Sequence, residues 1–248
     1  MTGTSIILIR HGETTWNAAH KMQGHEDAPL NERGEQQAAA AAAGLRAYLA
    51  RPGAAADDLE GITAVYASDL SRAYNTAKAV VGSAPLEIVK DAGLRERHLG
   101  KFQTHTLAEV RQKFPQDYQR HCSLDPDWEI PGGGESVAQF YSRVRDAVTR
   151  IAQAHVGKRI LIVTHGGVLG MISKFVLGTP LEKARRVSIV NCAINEIGHV
   201  GSFANKNPDE DNEAGGETKT LTAPPRNGWV VQTWGLTSHL SELGFIKM

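Results

Sequence analysis

Runs of consecutive apolar residues mark the strands that this chain is expected to bury. Residues 6–9 and 160–163 are each four apolar residues with no polar interruption. A strand that is covered on both faces has this continuous pattern, which is typical of parallel sheets. Shorter apolar segments predict further strands at 62–67, 86–89 and 229–233. The core is therefore expected to form around a sheet that is buried on both faces.

Segments with helical patterns alternate with these strands. Their apolar residues recur near the 3.6-residue period of a helix, or they are rich in alanine, which has the highest helix propensity. The predicted helices are 32–49 with Asn31 as its cap, 69–81 with Ser68 or Asp69 as its cap, and 136–154. Because strands and helices alternate, we predict a three-layer α/β/α fold, with helices on both faces of a mostly parallel central sheet.

The segment 201–227 breaks this alternation. It is rich in Asn, Asp, Glu, Gly and Pro and has too few apolar residues to contribute to a core. We predict a polar insertion before the last strand, either a solvated loop or a functional lid. With no internal repeat and no linker-like break in composition, residues 1–248 are expected to form a single domain.

Charge and cysteine content narrow the possible partners and locations. The 27 Lys and Arg residues balance 27 Asp and Glu residues, so we expect neither a nucleic acid nor a membrane as partner. The two cysteines, Cys122 and Cys192, lie outside any CxxC pattern, which fits a reducing cytoplasm. No basic segment followed by a long apolar run opens the chain, so a soluble cytoplasmic protein is expected. The oligomeric state stays open.

Two of the predicted buried strands end in a histidine that is followed by glycine. His11 follows the first strand, directly after Arg10, and His165 follows the strand at 160–163. The carboxyl ends of parallel strands line the ligand crevice of an open α/β sheet. We therefore expect His11 and His165 to meet in one site, although 154 positions separate them.

The residues after the first strand, R-H-G-E-T-T-W-N at 10–17, resemble the R-H-G-x-[ST]-x-[WR]-N signature of the histidine phosphatase superfamily, also called phosphoglycerate mutase-like proteins. Four more segments resemble that family in its order along the chain. They are 24–34, S-D-L-S-R-A at 68–73, L-R-E-R at 94–97 and T-H-G-G at 164–167. The resemblance covers about residues 5–200 and implies the family's phosphoglycerate mutase-like α/β fold and its phosphoryl-transfer chemistry.

The resemblance also implies a role for each residue of the site. His11 would attack the phosphorus atom and form a covalent phosphohistidine, with its second ring nitrogen held by a backbone carbonyl just beyond Gly12. His165 would donate a hydrogen bond to the phosphoryl group in transfer. A phosphomonoester carries about two negative charges near neutral pH, so cations and donors must surround it. The predicted phosphate-binding residues are Arg10, Asn17, Arg72 and Gly166.

Glu96 matches the carboxylic acid that protonates the leaving oxygen in the family. An alternative is that Glu96 forms a surface ion pair with Arg95 or Arg97, which flank it. The sequence has no HExxH or comparable spacing and no nucleotide-binding glycine loop, so we expect neither a metal nor a cofactor.

Three functions are consistent with these motifs, and a phosphatase is favoured. The family's mutases carry Tyr where Leu99 stands, Asn where Gly167 stands, and an Arg-Arg pair that 100–131 lacks. Residues 131–136, P-G-G-G-E-S, resemble the family's phosphatases. We therefore predict hydrolysis of a small phosphomonoester. The alternatives are phosphotransfer like that of cofactor-dependent phosphoglycerate mutase and, more distantly, a non-catalytic phosphate-binding module.

Overall fold

The computed structural model of the protein describes residues 3–50, 59, 61–184, 187–199 and 228–241. Six strands form one sheet, and they are β1 Thr4–Arg10, β2 Ile62–Ala67, β3 Ile88–Lys90, β4 Arg159–Thr164, β5 Ile194–His199 and β6 Trp229–Leu236. Their order across the sheet is β3-β2-β4-β1-β5-β6. The first four strands in this order are mutually parallel, and β5 is antiparallel to both of its neighbours, β1 and β6. The predicted mostly parallel sheet is confirmed.

The helices of the described residues are α1 Thr15–Ala18, α2 Glu32–Leu49, α3 Ser71–Val81, α4 Leu107–Lys113, α5 Pro115–Cys122, α6 Val137–Ala154, α7 Gly166–Leu177 and α8 Ser238–Ser241. Asn31 caps α2 as predicted, and Ser136 caps α6. The predicted caps of α3 are wrong. This helix begins at Ser71, and the Asp27 carboxylate of a distant loop accepts its first N–H at 2.9 Å.

Two apolar clusters, one on each face of the sheet, form the core. Ile7 and Ile9 of β1 pack with α2 and α3, whereas Ile6 and Leu8 pack with α6 and α7. Alternate side chains of a strand point to opposite faces, which explains why residues 6–9 of β1 include no polar position. Each fully buried side chain of this kind stabilises the fold by about 1.5 to 3 kcal/mol. The predicted three-layer α/β/α arrangement is confirmed.

Two of the predicted strands have different bounds in the structure, and one predicted segment is not described. The strand predicted at 86–89 is Ile88–Lys90, and the strand predicted at 229–233 extends to Leu236. The polar insertion predicted at 201–227 lies outside the described residues. Within the described ranges, none of the helices has the length and apolar character needed to cross a membrane.

Candidate active site

The sheet brings the two histidines together, as the sequence predicts. β1 and β4 are parallel neighbours, with Arg10 opposite Thr164, so the residues that follow them emerge side by side. The imidazole rings of His11 and His165 have centroids 5.2 Å apart and planes at 61°. Both rings are buried, with His11 3% and His165 0% exposed. The carboxyl edge of the sheet therefore holds a pair of adjacent imidazoles.

The contacts of His11 fix which of its nitrogens carries the proton. Nδ1 lies 2.7 Å from the carbonyl oxygen of Gly12. A carbonyl can only accept, so Nδ1 donates and Nε2 carries the lone pair. The holding carbonyl is that of Gly12 itself and not of a residue beyond it, which corrects the prediction. Burial, and then the charges of Arg10 and Arg72, lower the pKa of His11 well below its usual value of about 6.5, so the imidazole is neutral at pH 7.

His165 has an unusual environment for a fully buried polar side chain. Neither ring nitrogen has a hydrogen-bond partner among the described residues. Burial, followed by the charges of Arg72, His11 and Arg10, lowers the pKa of His165 well below its usual value. Buried polar atoms without partners are rare because they are costly, and they call for a specific explanation. The ring nitrogens of His165 are therefore available to a group that enters the site.

The Arg72 side chain is buried, with only 1% of the residue exposed, and its guanidinium is held in place by hydrogen bonds. Its Nη1 and Nη2 donate to the carbonyls of Glu26 and Gly24, both at 2.8 Å. Its Nε has no partner within the described part of the chain. Arg10 is likewise anchored, because its Nη1 donates to the Ile189 carbonyl at 3.0 Å. Two fixed positive charges thus lie close enough to the imidazoles to lower the pKa of each.

Glu96 lies at the amino end of α7, close to the imidazole pair. One carboxylate oxygen accepts the Gly167 N–H and the other accepts the Arg97 N–H, both at 2.8 Å. The predicted alternative, a surface ion pair with a neighbouring arginine, does not form among the described residues. Arg95 instead pairs with Asp69, with Nη2 and Oδ2 2.5 Å apart. The contact with Gly167 places the carboxyl group beside the second residue of α7, two positions after His165.

Asn17 and the glycines that follow His165 take more specific positions than the sequence predicts. Thr14 caps α1, and Oδ1 of Asn17 completes the capping box by accepting the Thr14 N–H at 3.1 Å. The amide Nδ2 of Asn17 is the group that can donate to a phosphate. Gly166 opens α7, where backbone N–H groups lack helical partners, and a Cβ there would lie 3.2 Å from Nε of Arg10. The N–H of the next residue, Gly167, donates to the Glu96 carboxylate.

Two residues that sequence reasoning left without a role brace the backbone around His11. The Thr76 hydroxyl accepts the Gly12 N–H at 3.0 Å. The Asn191 amide donates to the His11 carbonyl at 2.7 Å, across 180 positions. Thr76 follows closely after the 68–73 segment that resembles the family, whereas no pattern in the sequence marks Asn191.

The carboxyl edge of this α/β sheet thus combines a neutral imidazole with an available lone pair, a second imidazole and two fixed guanidinium groups, an arrangement that can receive an anion. The chain belongs to the histidine phosphatase superfamily (branch 1), whose family model matches residues 6–204.

Individual relatives match over nearly the whole length. The chain is 37% identical to phosphoglycerate mutase-like protein 4 of Arabidopsis thaliana, covering 98% of this chain and 89% of that protein. It is 36% identical to a metal-independent phosphoserine phosphatase of the same plant, covering 98% and 86%. The solved structure of Bacillus stearothermophilus YhfR superposes with a TM-score of 0.73 at 30% identity, covering 96% and 99%. These similarities support a phosphatase-type enzyme.

Proposed function

We propose that the protein hydrolyses small phosphomonoesters through a phosphohistidine on His11. The observation that carries the proposal is the state of this side chain: buried and neutral, its Nδ1 proton is fixed on the Gly12 carbonyl. The lone pair on Nε2 is then available to attack phosphorus. Arg10, Arg72 and His165 surround the position where the phosphoryl charge must be stabilised.

The proposed reaction has two steps, both of which use Glu96. In the first, Nε2 of His11 attacks phosphorus, the ester P–O bond breaks, and protonated Glu96 transfers its proton to the leaving oxygen. In the second, water gives a proton to the Glu96 carboxylate and attacks phosphorus. The P–N bond breaks, its electron pair returns to Nε2, and inorganic phosphate leaves. Each Glu96 oxygen accepts one backbone N–H, which leaves a lone pair on each to exchange the proton.

Hydrolysis is favoured over mutase chemistry by the residue at position 167. The family's mutases carry Asn there, and a Cβ at this position would overlap the Glu96 carboxylate, so a larger residue would displace the acid from its contact with the backbone of α7. The similarity to a metal-independent phosphoserine phosphatase supports the same choice and favours small substrates such as phosphoserine. The similarity to a phosphoglycerate mutase-like protein keeps phosphotransfer as the second candidate.

A panel of phosphomonoesters, assayed with and without 2,3-bisphosphoglycerate, tests the proposal. We expect release of inorganic phosphate from phosphoserine or another small ester, independent of the bisphosphate. Interconversion of phosphoglycerates that requires the bisphosphate, with little phosphate released, would identify a mutase. No turnover of any substrate, p-nitrophenyl phosphate included, would identify a binding module and contradict both enzyme proposals.

Activity should survive removal of divalent metal ions. The described residues contain no group of three or more His, Cys, Asp or Glu side chains arranged to hold a metal ion. Arg10 and Arg72 can offset the phosphate charge themselves. We expect dialysis against EDTA to leave kcat/KM unchanged. Activity that is lost on chelation and restored by a divalent ion would show that ligands other than these are required.

Replacement of Glu96 by Gln should reduce the rate of phosphoenzyme formation most for substrates with basic leaving groups. An alkoxide needs the proton of Glu96, whereas p-nitrophenolate is stable enough to leave nearly unaided. We expect single-turnover phosphoenzyme formation to slow by about 10²-fold with an alkyl phosphate and by much less with p-nitrophenyl phosphate. Equal losses for both substrates would remove Glu96 from the role of general acid.

A further inference from the structure

The segment that carries Glu96 is irregular, so its position depends on contacts from elsewhere. It follows a single 3-10 turn, Ala92–Leu94, and precedes another at Gly100–Phe102. The two hydrogen bonds to the Glu96 carboxylate are local or come from α7. Proton transfer requires the acid within hydrogen-bond reach of the leaving oxygen. Something must therefore fix the backbone of residues 93–98.

Arg143 of α6 holds the first half of this segment. Its Nη1 donates to the carbonyls of Gly93 and Arg95, both at 3.0 Å, and its Nη2 donates to the carbonyl of Glu96 at 3.1 Å. Three backbone carbonyls around the acid thus share one guanidinium. Because α6 packs in the core cluster with β1 and β4, this guanidinium links the segment to the scaffold.

Glu135 holds the second half and is itself bound to Arg143. Nε and Nη2 of Arg143 donate to its two carboxylate oxygens, both at 2.7 Å. One of these oxygens also accepts the His98 N–H at 2.8 Å, and the Glu135 carbonyl accepts from Nε of Arg97 at 2.9 Å. Burial acts to raise the pKa of Glu135, but the hydrogen bonds from Arg143 and the His98 N–H outweigh it and lower the pKa. Glu135 is therefore a stable anion at neutral pH.

We infer that Arg143, paired with Glu135, is a positioning residue that holds Glu96 at the correct distance for proton transfer. The inference rests on the proposed function of Glu96 as the acid. Arg143 reaches both sides of Glu96, because it binds the carbonyls of 93, 95 and 96 directly and the N–H of His98 through Glu135. Lysine cannot reproduce this arrangement, since one ammonium lacks the planar fork that binds several acceptors at once.

The test compares leaving groups, because a purely structural role would affect all substrates alike. We measure single-turnover phosphoenzyme formation with phenyl phosphate and p-nitrophenyl phosphate in Arg143→Lys and Arg143→Met. Displacing a catalytic group by about 1 Å costs on the order of 10²-fold, so a loss of that order is expected with phenyl phosphate. A much smaller loss is expected with p-nitrophenyl phosphate. In a Glu96→Gln background the Arg143 substitutions should add no further selective loss.

Arg145→Met is the matched control, because Arg145 lies on the same helix and pairs with the adjacent Asp146 at 2.8 Å. It should behave as wild type with both substrates. Melting temperatures identify any variant that fails to fold, and the conservative Lys variant then carries the test. Equal losses for both substrates, or a selective loss that persists without Glu96, would overturn the inference. If Glu96→Gln itself shows no selectivity, the proposed acid fails together with the inference; if only the Arg143 variants lack selectivity, the inference fails alone.

Discussion

His11→Ala is expected to abolish turnover of every phosphomonoester that the wild-type protein hydrolyses. Removal of a covalent nucleophile elsewhere has cost on the order of 10⁶-fold in kcat, and we expect a loss of similar order here. We expect that His165 does not substitute for it, because Nδ1 is fixed on a carbonyl in His11 and has no partner in His165 among the described residues. Without His11 the site retains Arg10 and Arg72, so binding of inorganic phosphate should persist while turnover stops.

The covalent intermediate can be trapped directly. Wild-type protein mixed with a labelled phosphomonoester and quenched in alkali should carry label on His11, because the P–N bond of phosphohistidine survives base better than acid. His155→Ala is the matched control, since this histidine follows α6 at the opposite end of β4 and contacts Tyr66 at 2.9 Å. The control should still form the intermediate. Label on a serine or an aspartate would contradict the proposed mechanism.

The strands that the sequence predicts well are those whose two faces are both apolar. β1 and β4 are recognisable because each core cluster takes alternate residues from a continuous apolar run. β5 escaped prediction although it is a central strand, because Asn195 and Glu196 are polar yet only 2% and 4% exposed. Asn195 donates to the Leu8 carbonyl, and Glu196 accepts from Tyr48 and Ser5. Such partners exist only once the sheet has formed.

The residues of the candidate site also differ in how well the sequence predicts them. Sequence pattern predicts the residues with a short local signature, such as His11 after its strand and Arg72 in its motif. It does not predict which distant groups hold them. Asp27 binds the Ser71 N–H across 44 positions, and Arg143 binds the Glu96 carbonyl across 47. These contacts are set by the packing of loops and helices against the sheet, for which a single sequence has no periodic signal.

Arg72→Lys is expected to reduce kcat/KM by about 10²- to 10³-fold, the usual cost of losing one preorganised donor at a site of developing charge. Two N–H groups of Arg72 are fixed on the Gly24 and Glu26 carbonyls, which sets the orientation of the guanidinium plane before substrate arrives. Lysine keeps the positive charge, but its three N–H groups leave a single nitrogen and cannot span the two carbonyls and the phosphoryl oxygens that the planar guanidinium reaches at once.

The measurement should separate binding from folding, because Arg72 is buried and its carbonyl partners lose their donors in the variant. We expect weaker inhibition by inorganic phosphate together with the loss of kcat/KM, at temperatures where thermal unfolding shows the variant to be folded. Arg145→Lys, an exposed position on α6, is the control and should match wild type. If Arg72→Lys keeps near wild-type kcat/KM and phosphate inhibition, the guanidinium does not contact the phosphoryl group. Its charge would then act only by lowering the pKa values of His11 and His165.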